Sequence, residues 1–127
     1  MIFIRVDNIL KNSVIIAITL VPFVFYRGEL IERTKLHEKI HFRQYLELFV
    51  IGLIPLYFIF ENSWWMLLSH FSFYLLYIIE FLIRILFTFN RKKAYSTLSF
   101  ERECYRNKKK DYLKKRIPFS WIKYIFK

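Results

Sequence analysis

Two long stretches nearly free of charge constrain this chain more than anything else in it. Residues 48–60 carry no charged side chain, and residues 64–89 are apolar except for His70, Glu80 and Arg84. Only Glu61-Asn62-Ser63 interrupts them, and Asn62 or Ser63 is placed to cap the second helix. Two apolar helices joined by so short a loop must run antiparallel. Gly52 and Pro55 are expected to kink the first, and Trp64 and Trp65 at the loop suit an interfacial belt. A span normally needs about 20 apolar residues, so the hairpin either crosses a bilayer or dips in from one side.

Composition supports a lipid environment. The 127 residues are 56% hydrophobic and 21% aromatic, more than so small a body can bury, so lipid or a partner must cover the excess. The length makes residues 1–127 one domain, with a strand-containing segment at 1–33, the motif helix and hairpin at 34–89, and a basic helical segment at 90–127. Of the formal net charge of +11, the part from Arg91 onward holds +10. A basic piece attached to an apolar hairpin suits anionic headgroups, and we expect lipid rather than nucleic acid as its partner. Arg27, Arg33, Lys35, Lys39 and Arg43 collect with that tail at the hairpin's open end, which the positive-inside rule assigns to the cytoplasmic face.

Ahead of the hairpin, residues 1–6 alternate weakly, as a short strand or an irregular lead-in. Residues 14–26 are β-branched and aromatic around Pro22, which predicts an edge strand or two short ones. The bulky residues after Pro22 stand where a cleavable signal would need small ones. Cys104 is the only cysteine, so no internal disulfide forms. Beyond the hairpin, a third, amphipathic helix is expected from Arg91 to about Asn107, then a short helical or turn piece at 111–116. A final amphipathic segment follows at 118–126, with Pro118 in its first turn. The fold expected is mainly α with a short N-terminal β element, an apolar antiparallel helical hairpin and a third amphipathic helix, associated with a membrane.

Chemistry enters at His37-Glu38-Lys39-Ile40-His41, on a helix that Thr34 is placed to cap. Residues four apart on a helix differ by ~40° of rotation and ~6 Å of rise. Both imidazoles therefore leave one face at a separation that a single tetrahedral ion bridges. Glu38 is offset from that pair, poorly placed to ligate but able to take a proton from a metal-bound water. This is why the spacing recurs in zinc hydrolases.

A third ligand is needed, and His70, Glu80, Glu101 and Glu103 are the candidates. His70 sits far along the hairpin and is expected to make a polar contact between helices. Glu80 has Arg84 one turn later and is expected to pair with it. Glu101 and Glu103 are ~200° apart on the third helix, so only one is expected to face inward. Glu101 is the choice, with Glu103 solvated or behind the ligands. Gln44, Arg84, Glu80, Glu103 and Tyr105 are the candidates for orienting groups, and Arg43 or Arg84 for stabilising an oxyanion.

The motif, the Arg43-Gln44 that follows it and the later Phe100-Glu101-Arg102-Glu103-Cys104-Tyr105 together resemble the gluzincin branch of zinc metallopeptidases, and short bacterial membrane-associated proteins in particular. The resemblance runs from about Ile18 to the C-terminus, through Glu80-Phe81-Leu82-Ile83-Arg84 and Lys123-Tyr124. It implies a Glu ligand three residues before a small residue, here Glu101 with Cys104 in the small position. It also implies a strand ahead of the motif helix whose edge receives a substrate's backbone. Tyr105 stands where such families often have Asp, so a carboxylate that orients a ligand histidine must come from elsewhere.

The expectation is a zinc metallohydrolase, most simply a peptidase, at the bacterial inner membrane. His37, His41 and Glu101 would hold Zn2+, Glu38 would act as general base, and a peptide or protein would be the substrate. The alternative is a non-catalytic, membrane-anchored binding or structural protein, with a zinc-stabilised site or a lipid-docking basic tail.

Overall fold

The computed structural model describes residues 1–7, 17–29, 31–59, 63–109 and 111–126. A three-stranded sheet comes first: β1 (Ile2–Arg5), β2 (Ala17–Leu20) and β3 (Phe23–Tyr26), in the order β1-β3-β2. The β-rich stretch is thus two short strands about a Val21-Pro22 turn, where the missing Pro22 N–H costs no ladder bond. β3 runs parallel to β1 and antiparallel to β2, leaving β2 at the edge. Val24, at the sheet's centre, is completely buried, and Val21 N–H donates to Tyr74 Oη at 3.0 Å, tying the sheet to the hairpin.

Helix α1 spans Glu32–Ile59 and continues through Gly52 and Pro55. It starts two residues before the expected cap, so Thr34 lies inside its first turn. The return arm begins as a 3-10 helix, Ser63–Phe71, and becomes α2, Ser72–Thr88. The expected cap Asn62 lies outside the described residues. Aromatic contacts give the register of the hairpin: His41 faces Tyr77, Tyr45 faces Phe73, and Phe49 faces His70. As one arm advances the other recedes, so the arms are antiparallel. His70 makes the contact expected of it, with Nδ1 bonded to Tyr45 Oη.

At Gly52 the two arms approach closely. A Cβ there would meet Ser72 Oγ at 2.5 Å and Ser69 Cβ at 3.2 Å. Gly52→Val is expected to destabilise the protein by about 1–3 kcal/mol, because overpacking a tight contact forces the backbones apart. Thermal unfolding of Gly52→Val beside Gly52→Ala checks this; an unchanged midpoint for valine would refute it.

The third helix is two helices. α3 (Arg91–Ser96) and α4 (Ser99–Arg106) are separated at Thr97-Leu98, and Leu98 is extended at φ −53°, ψ 138°. Thr97 Oγ1 folds back onto the Lys93 and Ala94 carbonyls, ending α3. The break lets Leu98 bury completely and leaves the first turn of α4 to be capped from α2: Glu80 accepts from Ser99 N–H at 2.8 Å and Ser99 Oγ at 2.7 Å. A short α5 (Tyr112–Lys115) and a 3-10 turn (Ser120–Tyr124) close the chain over the outer side of α4.

The core lies where α1, α2, α4 and the tail meet and is aromatic but for Leu48: Tyr45, Leu48, Phe73, Phe100 and Trp121. Phe100 meets Phe73 edge-on at 5.3 Å and Trp121 at 4.6 Å between ring centroids. Away from this core the hairpin stays bare. Its apolar arms, 28 residues at Glu32–Ile59 and 23 at Met66–Thr88, are each long and apolar enough to cross a membrane.

Candidate metal centre

Helical spacing on α1 brings the His37 and His41 rings to 4.7 Å between centroids and their Nε2 atoms to 3.1 Å. α4 carries Glu101 to the same point. Its Oε1 lies 3.1 Å from His41 Nε2 and its Oε2 3.3 Å from His37 Nε2. Tyr77 Oη donates to Oε1 at 2.7 Å, whereas Oε2 is buried without a hydrogen bond. Burial by itself would raise the Glu101 carboxyl; the His41 and His37 rings outweigh it and hold the group well below the usual carboxylate range.

The tautomer of His41 follows from its neighbours. Its Nδ1 lies 2.8 Å from Gln44 Oε1, and the Gln44 amide nitrogen donates to Phe100 O at 3.1 Å and Glu103 Oε2 at 2.8 Å. With the amide oriented by those two acceptors, its oxygen faces the ring. Nδ1 therefore carries a proton, which leaves Nε2 as the nitrogen that faces His37 and Glu101.

Cys104 also reaches this point. Its Sγ, with the nitrogens of His37 and His41, forms a group of possible metal ligands lying within 4.8 Å of one another. The sulfur is 3.7 Å from His41 Nε2 and 3.8 Å from Nδ1. Being almost equidistant from both nitrogens, it lies off the axis of either lone pair. Burial pushes its pKa up to about 11, which keeps it a thiol at neutral pH.

Glu38 is buried but lines a cleft of about 260 Å³ with His37, His41 and Glu101. Thr19 Oγ1, from β2, donates to Glu38 Oε2 at 2.5 Å. The rest of the lining is apolar or aromatic, with Ile18 and Leu20 on one wall and Tyr74, Tyr77 and Tyr95 on the other.

No family profile, curated protein or solved structure matches this chain. The chemistry of the site therefore rests on its own atoms.

Those atoms redistribute several expected roles. Glu101 and Glu103 are both buried, although only one was expected to face inward. α4 is enclosed on two sides, by α1 and by the tail, so opposite faces are both interior. Glu103 acts through Gln44, and Tyr105 packs its ring 5.3 Å from that of His37. Glu80 and Arg84 do form the expected pair, but their work is to cap α4 and to hold Ile125 O, not to touch the histidines. Arg84 is therefore not free to stabilise an oxyanion, and Arg43 is exposed.

Three contributors escaped the sequence. Tyr77 shares an inward stripe with Glu80 and Arg84 at helical spacing, which could have revealed it. Thr19 is the lone polar residue of Ala17-Ile18-Thr19-Leu20, a weaker sign. Arg116 bore no sign, since it ends a run of cations; yet its guanidinium is buried between Glu103 and Glu47.

Proposed function

We propose that this protein is a membrane-embedded zinc hydrolase of gluzincin type, cleaving peptide bonds, with His37, His41 and Glu101 as ligands and Glu38 as general base. One observation carries the reading: the Nε2 atoms of His37 and His41 lie 3.1 Å apart and the Glu101 carboxylate faces both, with Oε1 3.1 Å from His41 and Oε2, buried without a hydrogen bond, 3.3 Å from His37. Tetrahedral zinc with ligands at 2.0–2.1 Å requires edges of about 3.3 Å, and two imidazoles with a carboxylate are a donor set it favours. When bound, zinc polarises a carbonyl and brings the pKa of its water to about 7.

The protein's own groups supply the rest. Glu38 accepts the proton of the attacking water and passes it to the leaving amine, and the Thr19 hydroxyl fixes which oxygen of Glu38 stays free for that work. Gln44 holds His41 in the ligating tautomer. Among the described residues β2 has no strand on its outer side, and that edge beside the cleft is suited to an extended peptide. Tyr95, which also lines the cleft, replaces Arg43 and Arg84 as a candidate for steadying a developing oxyanion.

The membrane reading rests on the bare hairpin. Exposed Ile54, Phe58, Leu75, Ile79, Leu82 and Phe87 form an apolar face far larger than an isolated patch, and lipid covers it without a partner protein. The excess of Lys and Arg outside the hairpin supports a site on the cytoplasmic side.

A closed structural site, with Cys104 as fourth ligand and no open position, is the second reading, and the convergence of His37, His41 and Cys104 favours it. Against it, an ion on the His41 Nε2 axis at ~2.0 Å would stand more than about 4 Å from the sulfur as it lies, well beyond the ~2.3 Å of a zinc–thiolate bond. Glu38→Gln separates the two. The enzyme retains its metal and loses turnover by roughly 10²–10⁴-fold, measured as hydrolysis of a quenched peptide library. An active wild type whose Glu38→Gln variant stays equally active overturns the role of Glu38.

A further inference from the structure

Three cations away from the metal centre converge on one residue. Lys123 Nζ lies 5.0 Å and Arg106 Cζ 5.6 Å from the centroid of the Tyr124 ring, and Arg102 Nη1 donates to Tyr124 O at 3.4 Å. The ring is a fixed platform: Tyr124 is buried and its hydroxyl accepts from Asn107 Nδ2 at 3.1 Å. Arg102 and Arg106 are one turn apart on α4, so the cluster joins a helix face to the 3-10 tail.

Among the described residues no carboxylate pairs with Arg102, Arg106 or Lys123; Glu80, whose charge reaches Arg102, is occupied by Arg84 and Ser99. Burial first, and then the neighbouring Arg84 and Arg106 charges, hold Arg102 below its ordinary range against the opposing charge of Glu80. Such a cluster costs free energy unless an anion comes to it.

The surroundings select the anion. Arg84 Nη2 donates to Ile125 O at 3.0 Å, fastening the tail to the last turns of α2. There Leu86, Phe87 and Phe89 are exposed, Phe87 at 83%, and Phe126 beyond the cluster is 96% exposed. A phosphate site bordered by bare apolar side chains, at the end of a helix long enough to span a bilayer, matches a molecule with a phosphate and acyl chains.

We propose that Arg102, Arg106 and Lys123, gathered around Tyr124, bind the phosphate of an anionic phospholipid at the membrane edge. The proposal rests on the membrane reading above and is independent of the zinc chemistry. It goes beyond a diffuse basic tail, because it assigns the preference to three cations and not to Lys108, Lys109, Lys114 or Lys115.

The test uses the full chain, first with phosphatidylcholine vesicles alone and then, in detergent, by titration with short-chain phosphatidylglycerol and phosphatidylcholine. Stable insertion into the neutral vesicles is expected; its failure sinks the membrane reading and this proposal with it. In detergent, phosphatidylglycerol is expected to bind at least about tenfold more tightly, in line with the contribution of each basic residue near an anionic surface. Arg106→Gln with Lys123→Gln should remove most of that preference while leaving phosphatidylcholine binding and circular dichroism unchanged. Lys108→Gln with Lys109→Gln, equal in charge, should keep it. Equal affinity for the two lipids, or the same loss in both double variants, overturns the site. Glycerol phosphate or duplex DNA binding as tightly as phosphatidylglycerol also overturns it, in favour of a free anion or a nucleic acid.

Discussion

Glu101→Gln is expected to strip the purified protein of stoichiometric zinc, as is His41→Ala, whereas Cys104→Ser is expected to keep it. Glutamine preserves the shape of Glu101 and its contact with Tyr77, so the fold is retained while the charge facing both Nε2 atoms is lost. Loss of an orienting group outside the ligand set typically weakens metal binding by about 10–100-fold, and loss of a ligand should exceed that range. Cys104 has no such leverage, because its sulfur lies off both lone-pair axes of His41. Elemental analysis of the four proteins, followed by zinc titration against a chelator of known affinity, reads this directly. Loss of zinc in Cys104→Ser with retention in Glu101→Gln would overturn the proposed ligand set and leave the closed structural site. Absence of zinc from the wild type, with no uptake on titration, would end both metal readings.

Arg116→Met is expected to produce the largest loss of stability of any single substitution in the tail. The Arg116 side chain is 4% exposed, and Glu103, which it contacts through Nε at 2.6 Å, is fully enclosed. Glu47 closes the other side, and its Oε2 also accepts from Phe119 N–H at 3.0 Å. Tyr112 and Ser120 donate to Glu103 as well, at 2.6 and 2.5 Å. Taking away the cation leaves two carboxylates enclosed against each other, and breaking a buried pair in this way costs about 3–5 kcal/mol. In a chain of this size that corresponds to a fall in Tm of roughly 10–20 °C, readable from tryptophan fluorescence. Adding Glu103→Gln should recover part of the loss by removing one of the stranded charges. Since Glu103 also orients Gln44 and thereby His41, Arg116→Met should weaken zinc binding by roughly 10-fold or more, as loss of an orienting group does. A Tm within a degree or two of wild type would show that the network is not closed as described.

What the chain declares about itself follows how local each feature is. His37 and His41 share a face because α-helical geometry relates residues four apart without help from any other segment, and the uncharged arms of the hairpin are visible for the same reason. Pro22 announced the division between β2 and β3, because a missing N–H is a property of one residue. The fate of residues 91–107 was less legible. A single helix suits their composition, and it is Glu80, from another helix, that makes a second start at Ser99 worthwhile.

Glu101 and Glu103 mark the limit most clearly. Periodicity alone sets them on opposite faces of α4, and from there sequence reasoning turned Glu101 to the interior and left Glu103 either solvated or behind the ligands. Both are interior, because α5 and the closing 3-10 turn fold across the far face and bring Arg116 with them. Thr19 beside Glu38 and Tyr77 beside Glu101 belong to the same class, contacts across 19 and 24 residues. The sequence by itself determined which side chains share a helix face and which segments avoid water, since backbone geometry and hydrophobicity act residue by residue. Only the tertiary structure decided what each of those faces meets, because a buried partner is supplied by chain closure over long separations, and no local period records it.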